Sequence, residues 1–394
     1  MKLIFGQTGS KIATVRVTFD AGSSVELDQW TSGIAHLAEH MVFQSPKNTT
    51  HQELMRIMAK LGVSWNAFTS HAKVSFFINA PHENIEEATR YFSDLMLNRK
   101  LTSEAFLKEK MVVLEEERGS HDDIDTKIYE ELDKFLCNGP LAIPILGTKE
   151  SISSIELDEL EEFFGAYYNP SQMLVTITSP NPDHEKLGEL FGKPGRFVRS
   201  PKINNEYKKR RSLYARTDAI KQARVMVCYR TFPIKDKSTL DLQFVEKFFS
   251  NGMDSRLFEV LRQKYGLCYS TGSFPIATDD IGWFVIFINT GQENIKKSAK
   301  LINKEVQRLL SEGPTREEIL RAKNKFISEI YQGLETSYGL NSVLDYRAFY
   351  GLPKIDVSIN RIKRMSKKKI MDVCERVFRP ELRQIFYVIP EKEE

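Results

Sequence analysis

Residues 77–85 read FINAPHENI, and residues 287–295 read FINTGQENI, with six of nine positions identical at a spacing of 210. The same spacing pairs Val15-Arg16-Val17-Thr18-Phe19 with Val225-Met226-Val227-Cys228-Tyr229. It also pairs Ile152, Ile155, Leu160, Phe163 and Pro170 with Ile362, Met365, Ile370, Val373 and Pro380. Three collinear matches at one spacing identify a duplicated domain. Each copy runs strand, helices, strands, long helix, further helix, then an aromatic-Pro turn and a last strand. That order predicts two homologous α+β sandwiches, each an antiparallel-rich sheet covered by helices. Hairpin spacing near 63–80 and 268–290 predicts antiparallel pairing there. The polar, basic stretch PGRFVRSPKINNEYKKRRS reads as the connection. The expected division is a domain at 1–195, a linker at 196–212 and a second domain at 213–394.

The 394 residues are 41% hydrophobic and 28% charged, enough apolar content for two large cores. A net charge of +3 argues for neither nucleic acid nor an anionic membrane as partner. The basic runs Lys208-Lys209-Arg210-Arg211 and Lys367-Lys368-Lys369 read as solvated surface. No run of about eighteen apolar residues spans a membrane, and the N-terminus has no apolar leader core. Cys137, Cys228, Cys268 and Cys374 are scattered, which predicts reduced thiols and a cytoplasmic location.

All seven histidines lie in the first copy; His36 and His40 correspond to Glu246 and Ser250 in the second. Only the first copy can carry a histidine-ligated metal. In SGIAHLAEHMVF, Thr31 or Ser32 can cap a helix, and Ile34, Leu37, Ala38, Met41 and Val42 supply its apolar pattern. On that helix His36 and His40 share a face. Glu39 lies beside them, placed to act on a metal-bound water rather than as a ligand. The order H-x-x-E-H is the inverted zincin signature, and such a site needs a third ligand. In EAFLKEKMVVLEEER, Phe106, Glu109, Val113 and Glu116 fall on one stripe and are expected to face inward, while Glu115 is expected in solvent. Glu117 is one helical step away, and spacing alone does not separate it from Glu116.

H-x-x-E-H followed some 75 residues on by E-K-x-V-V-L-E-E resembles the pitrilysin/insulinase metallopeptidases, among them the mitochondrial processing peptidases. SWNAFTSHAKVSFF, the ILGT at 145–148, YYNPSQMLV and SRLFEVLRQKYGLCYS fall in the family's order, so the resemblance covers nearly the whole chain. It implies a zinc endopeptidase with one Zn2+ per chain on His36, His40 and Glu116. Glu39 is then the base, and Glu109 orients a zinc-bound histidine. The resemblance makes Asn66, Ala67 and Phe68 part of an edge strand that takes up an extended peptide substrate. Arg262 and Tyr269 match the family's R-x6-Y pair, which holds substrate carbonyls and the oxyanion. In this family the pair serves the zinc centre of a facing half. For a two-domain chain that implies a homodimer, or a heterodimer with a related subunit, closing a chamber around peptides or unfolded segments. The alternative is a non-catalytic assembly or structural subunit of the same family. The chain departs from the pattern at its start, where strand Val15–Phe19 arrives early. A shortened first hairpin and no leader are expected.

Overall fold

The computed structural model describes residues 1–44, 46–120, 122–181, 185–200, 203–209, 211–217 and 220–391. His121, His184 and Arg210 lie outside the described residues. The chain forms two compact units. One comprises Met1–Glu130, Gly139–Asn204 and Gln332–Phe349; the other comprises Glu131–Asn138, Asn205–Tyr331 and Tyr350–Glu394.

The first unit holds a five-stranded sheet in the spatial order Lys2–Gln7, Met173–Ser179, Ile12–Phe19, Val74–Pro81, Ser64–Thr69. The first pair is parallel and the rest are antiparallel. The second unit repeats the plan as Ser212–Thr217, Arg383–Pro390, Ala223–Arg230, Gly282–Thr290, Cys268–Ala277, again with only the first pair parallel. The repeat holds to the level of register. Val15 faces Ile78 and Ile177, and Val225 faces Ile288 and Tyr387, each partner displaced by the same 210 residues. A one-residue slip would turn every side chain to the opposite face, so both sheets must be laid down in the same way.

The hairpins expected near 63–80 and 268–290 are present. The expected opening hairpin is not. Lys2–Gln7 and Ile12–Phe19 are separated by Met173–Ser179, which inserts between them and pairs with both.

Along Ile12–Phe19, Ala13, Val15, Val17 and Phe19 enter an apolar core. Helices Ile34–Gln44, Ile85–Leu97 and Leu157–Tyr167 cover that core. The alternate residues Thr14, Arg16 and Thr18 are also buried, although they are polar. Their cover comes from far along the chain: helix Ser337–Tyr350 lies mostly within the first unit. Arg16 donates to Asn341 (2.9 Å) and Ser342 (2.8 Å), Thr18 donates to Asp345 (2.8 Å), and Lys73 Nζ meets Asp345 at 2.6 Å. A buried charge tolerates this position only when paired in this way. Displaced by 210, Ile124–Leu136 is the matching helix of the first copy, and its end, Glu131–Leu136, belongs to the second unit. There Phe135 stacks on Phe386 with ring centroids 5.5 Å apart. The two copies thus exchange equivalent helical segments.

Candidate metal centre

The helix Ile34–Gln44 begins where two glycines cross. Gly33 has φ 94° and Gly147, from the ILGT stretch, has φ 80°. A Cβ on Gly33 would stand 2.6 Å from the Leu146 carbonyl oxygen, and one on Gly147 would stand 2.6 Å from that of Ser32. Only glycine fits both the left-handed backbone and the contact. In place of a Thr31 or Ser32 cap, Glu26 accepts from the N–H groups of Gly33 (3.1 Å) and Ala35 (2.9 Å). Burial pushes the Glu26 carboxyl up to about 8, against the pull of those two bonds. The helix entry is thereby held from two sides, and its histidines inherit a defined position.

His36 Nε2 lies 3.7 Å and His40 Nε2 lies 3.3 Å from the same oxygen, Glu116 Oε2. The imidazole rings are 4.8 Å apart at 68°. Donor atoms bound at zinc's usual distances to a tetrahedral ion sit about 3.3 Å from one another. Two imidazole nitrogens and one carboxylate oxygen at these separations suit such an ion. Burial, with His40 close by, lowers the pKa of His36 to about 4, which keeps its imidazole neutral and able to donate a lone pair. On the far side of His40, Nδ1 stands 3.2 Å from Glu109 Oε2. A proton on Nδ1 donated to Glu109 would leave the Nε2 lone pair for a metal on the Glu116 side.

Helix Ser103–Ser120 carries both glutamates, but its buried stripe is Phe106, Glu109, Val113 and Glu117. Glu116 is not an inward residue: its side chain is 47% exposed, and only its carboxylate end turns to the histidines. The cluster therefore opens to solvent on the Glu116 side, as a site that admits substrate must. Glu115 is exposed as expected and pairs with Arg118.

Glu39 is largely buried, and burial raises its carboxyl above the ordinary range; Thr69 and His40 oppose that shift, and Glu116 adds to it. Thr69 donates its hydroxyl hydrogen to Glu39 Oε2 at 2.5 Å. Thr69 ends the strand Ser64–Thr69, which is the sheet edge. Strand alternation puts Trp65, Ala67 and Thr69 on the helix side, where Trp65 packs on Phe43 at 5.1 Å. Asn66 and Phe68 face the other way, and Phe68 lies near Arg16 (5.8 Å) and Lys73 (5.9 Å). Of the expected substrate residues, only Ala67 shares a face with Glu39. Asn66 turns its side-chain oxygen onto the Ala67 N–H at 2.8 Å. Sequence reasoning missed Thr69. The signal was available in the period-two count from Trp65.

Arg262 and Tyr269 belong to the second unit and form a pair there. The Arg262 guanidinium sits 5.2 Å from the Tyr269 ring and donates to the Cys268 carbonyl at 2.7 Å. Tyr269 is 80% exposed. Arg262 lies on a π-helical turn, Glu259–Lys264, a form frequent at functional sites. At the positions matching His36 and His40, Glu246 is buried beside Lys247 and Asn251, and Ser250 bonds Ser273. This arrangement offers a metal no imidazole.

Comparison with known proteins places these features in one family. Residues 4–149 match the family model for insulinase (peptidase family M16), and residues 154–326 match that for the peptidase M16 inactive domain. An uncharacterized zinc protease of Rickettsia bellii is 27% identical over 318 residues, covering 77% of this chain and 74% of that protein. The mitochondrial-processing peptidase subunit beta of Lentinula edodes is 24% identical, covering 93% of this chain and 84% of its own. The crystal structure of a protease from Helicobacter pylori superposes with a TM-score of 0.88 at 20% identity, covering 98% of this chain and 96% of that one. With both copies matched in order and the fold shared end to end, the chain belongs to the pitrilysin/insulinase family of peptidases, M16.

Proposed function

We propose that this chain is a zinc-dependent endopeptidase that cleaves peptides or unfolded segments held in extended form. The observation that carries this reading is the convergence of His36, His40 and Glu116, with the buried carboxylate of Glu39 on the same helix as the histidines. Zinc held by His36, His40 and Glu116 would supply Lewis-acid activation of water and polarisation of the scissile carbonyl. Glu39 takes a proton as the water oxygen bonds to the carbonyl carbon. It then gives that proton to the amine nitrogen as the C–N bond breaks. Thr69 holds the carboxylate of Glu39 in place for both transfers. The peptide adds as a strand along Ser64–Thr69, where the Ala67 N–H is released from Asn66 to a substrate carbonyl. Arg262 and Tyr269 are assigned to the substrate carbonyls and the developing oxyanion, serving the zinc centre of a partner chain. That partner is a second copy or a related subunit.

Among the described residues no helix is long and apolar enough to cross a membrane, and the four cysteines are buried and unpaired. Free thiols suit a reducing compartment, and the cytoplasm is the proposed location. Elemental analysis together with a peptide-cleavage assay tests the function. About one zinc per chain, cleavage abolished by a chelator and restored by zinc, and a Glu39→Gln variant that keeps metal but not turnover are the expected results. A protein without bound metal and without chelator-sensitive cleavage would instead be a non-catalytic subunit.

A further inference from the structure

Lys209 and Arg211, from the basic run, have a place in the fold that composition did not suggest. A cavity of about 690 Å³ lies within the second unit, where the parallel strands Ser212–Thr217 and Arg383–Pro390 begin. Lys209, Arg211, Arg230 and Arg383 line it, with Gln384 and a single carboxylate, Glu381. Among the described residues none of the four cations forms an ion pair. Four converging positive charges with one acid beside them are self-repelling unless an anion sits between them.

Two atoms of the lining add an independent observation. Arg230 donates through Nη2 to the Lys208 carbonyl at 2.7 Å, yet its Nε is buried with no hydrogen-bond partner. Gln384, 2% exposed, donates through Nε2 to the same carbonyl at 3.0 Å, and its Oε1 is likewise buried and unpartnered. Buried polar atoms in native proteins are seldom left unbonded, and a bound ligand is one way to satisfy them. The lining is also held in place. Tyr207 lies under the Arg230 guanidinium at 4.9 Å, and Arg383 is bonded to Asn303.

We propose that this cavity binds an oligophosphate, either inorganic or the phosphate chain of a nucleotide. Three of the four cations are arginines, whose planar forks match phosphate oxygens in bidentate fashion. Four cations beside one carboxylate leave a net charge of +3 in the lining, more than a single carboxylate or phosphate balances and close to the charge of linked phosphates. The volume falls within the range of small-molecule sites. Arg230 Nε supplies a further donor to a phosphate oxygen. Gln384 Oε1 accepts from a protonated phosphate oxygen or a ribose hydroxyl. The proposal does not depend on the metal centre, because every lining residue belongs to the second unit.

Calorimetric titration of the zinc-loaded chain at physiological salt tests it, with pyrophosphate, ADP and adenosine as separate titrants. Lys209 and Arg211 are exposed, so replacing either leaves the fold intact, and an unchanged melting temperature verifies this. Saturable binding of pyrophosphate or ADP, but not adenosine, is expected. Pyrophosphate alone would mark a free oligophosphate as the ligand, and ADP as the tighter binder would mark a nucleotide. Arg211→Ala should weaken binding at least about tenfold, the scale of one charge-assisted hydrogen bond. Arg230→Lys, which keeps the charge and removes Nε, should also weaken it. Absence of saturable binding would overturn the proposal. So would binding that survives Arg211→Ala and disappears when zinc is removed, since that places the anion at the metal.

Discussion

The hydroxyl of Thr69 donates to Glu39 Oε2 at 2.5 Å, joining the edge strand of the first sheet to the helix that carries both histidines. The strand proposed to hold substrate and the group proposed to move the proton are thereby one mechanical unit. Thr69→Val should lower kcat about tenfold with little change in KM or zinc content, the loss expected for one hydrogen bond of about 1.4 kcal/mol. Thr69→Ser restores the hydroxyl and should recover most of kcat. A Thr69→Ser enzyme as slow as Thr69→Val would show that shape, not the hydrogen bond, matters at this position.

Glu116 and Glu117 are neighbours with opposite surroundings. Glu116→Gln should abolish zinc retention while leaving the melting temperature of the metal-free protein nearly unchanged, because its side chain is half exposed. Glu117→Ala should do the reverse: zinc stays bound, and the metal-free protein loses about 1–3 kcal/mol of stability from a disturbed buried polar group. Equilibrium dialysis against a metal indicator and thermal melts of both variants separate the two roles. Interchanged outcomes would move the ligand assignment to Glu117.

Glu109 touches His40 through the nitrogen that faces away from Glu116. Glu109→Gln should therefore leave the ligand set complete but weaken zinc binding about 10- to 100-fold, the usual cost of losing such an outer partner. Competition with a chelator of known affinity measures this directly. An unchanged affinity would mean that His40 is held by packing alone.

Asp345 accepts from both Lys73 and Thr18 in a setting where Lys73 is 8% and Asp345 1% exposed. Asp345→Ala leaves a buried ammonium unpaired and should destabilise the chain by about 3–5 kcal/mol. Replacing both partners, as in Lys73→Met with Asp345→Leu, should return much of that loss. Urea unfolding midpoints of the single and double variants provide the comparison.

The two proposed halves of the reaction lie on different units, the Glu39 base on the first and the Arg262–Tyr269 pair on the second. Mixing a Glu39→Gln chain with a Tyr269→Phe chain, each inactive alone, should recover part of the activity if two chains share a site. No recovery in a mixture shown by native mass spectrometry to contain hybrid dimers would mean that each chain completes its own site.

Much of this fold was legible in the chain. The spacing of 210 survives as register, with Val15 and Val225 facing equivalent partners on both sides. The i, i+4 spacing of His36 and His40 survives as two nitrogens near one carboxylate oxygen. These features follow from helix and strand periods, which are local properties of the backbone. The stripe through Glu116 failed by one residue, because 3.6 residues per turn leaves i+10 and i+11 almost equally placed. The direction in which the helix leans on its neighbours decides which one is covered.

The sequence by itself determined that the chain is a duplication, that only its first copy can hold a histidine-ligated metal, and which helix presents the histidines. Tertiary structure decided which polar groups are buried and what meets them. It drew helix Ser337–Tyr350 over the first sheet, so that Arg16 and Lys73 became buried charges with partners more than 250 residues away in sequence. It also turned Thr69 onto Glu39, and it gathered four cations from three separate segments around one cavity. The physical reason is one of range. Helix and strand periods, and the apolar patterns that follow them, are set between near neighbours in the chain, whereas desolvation and charge pairing depend on every element packed against a group.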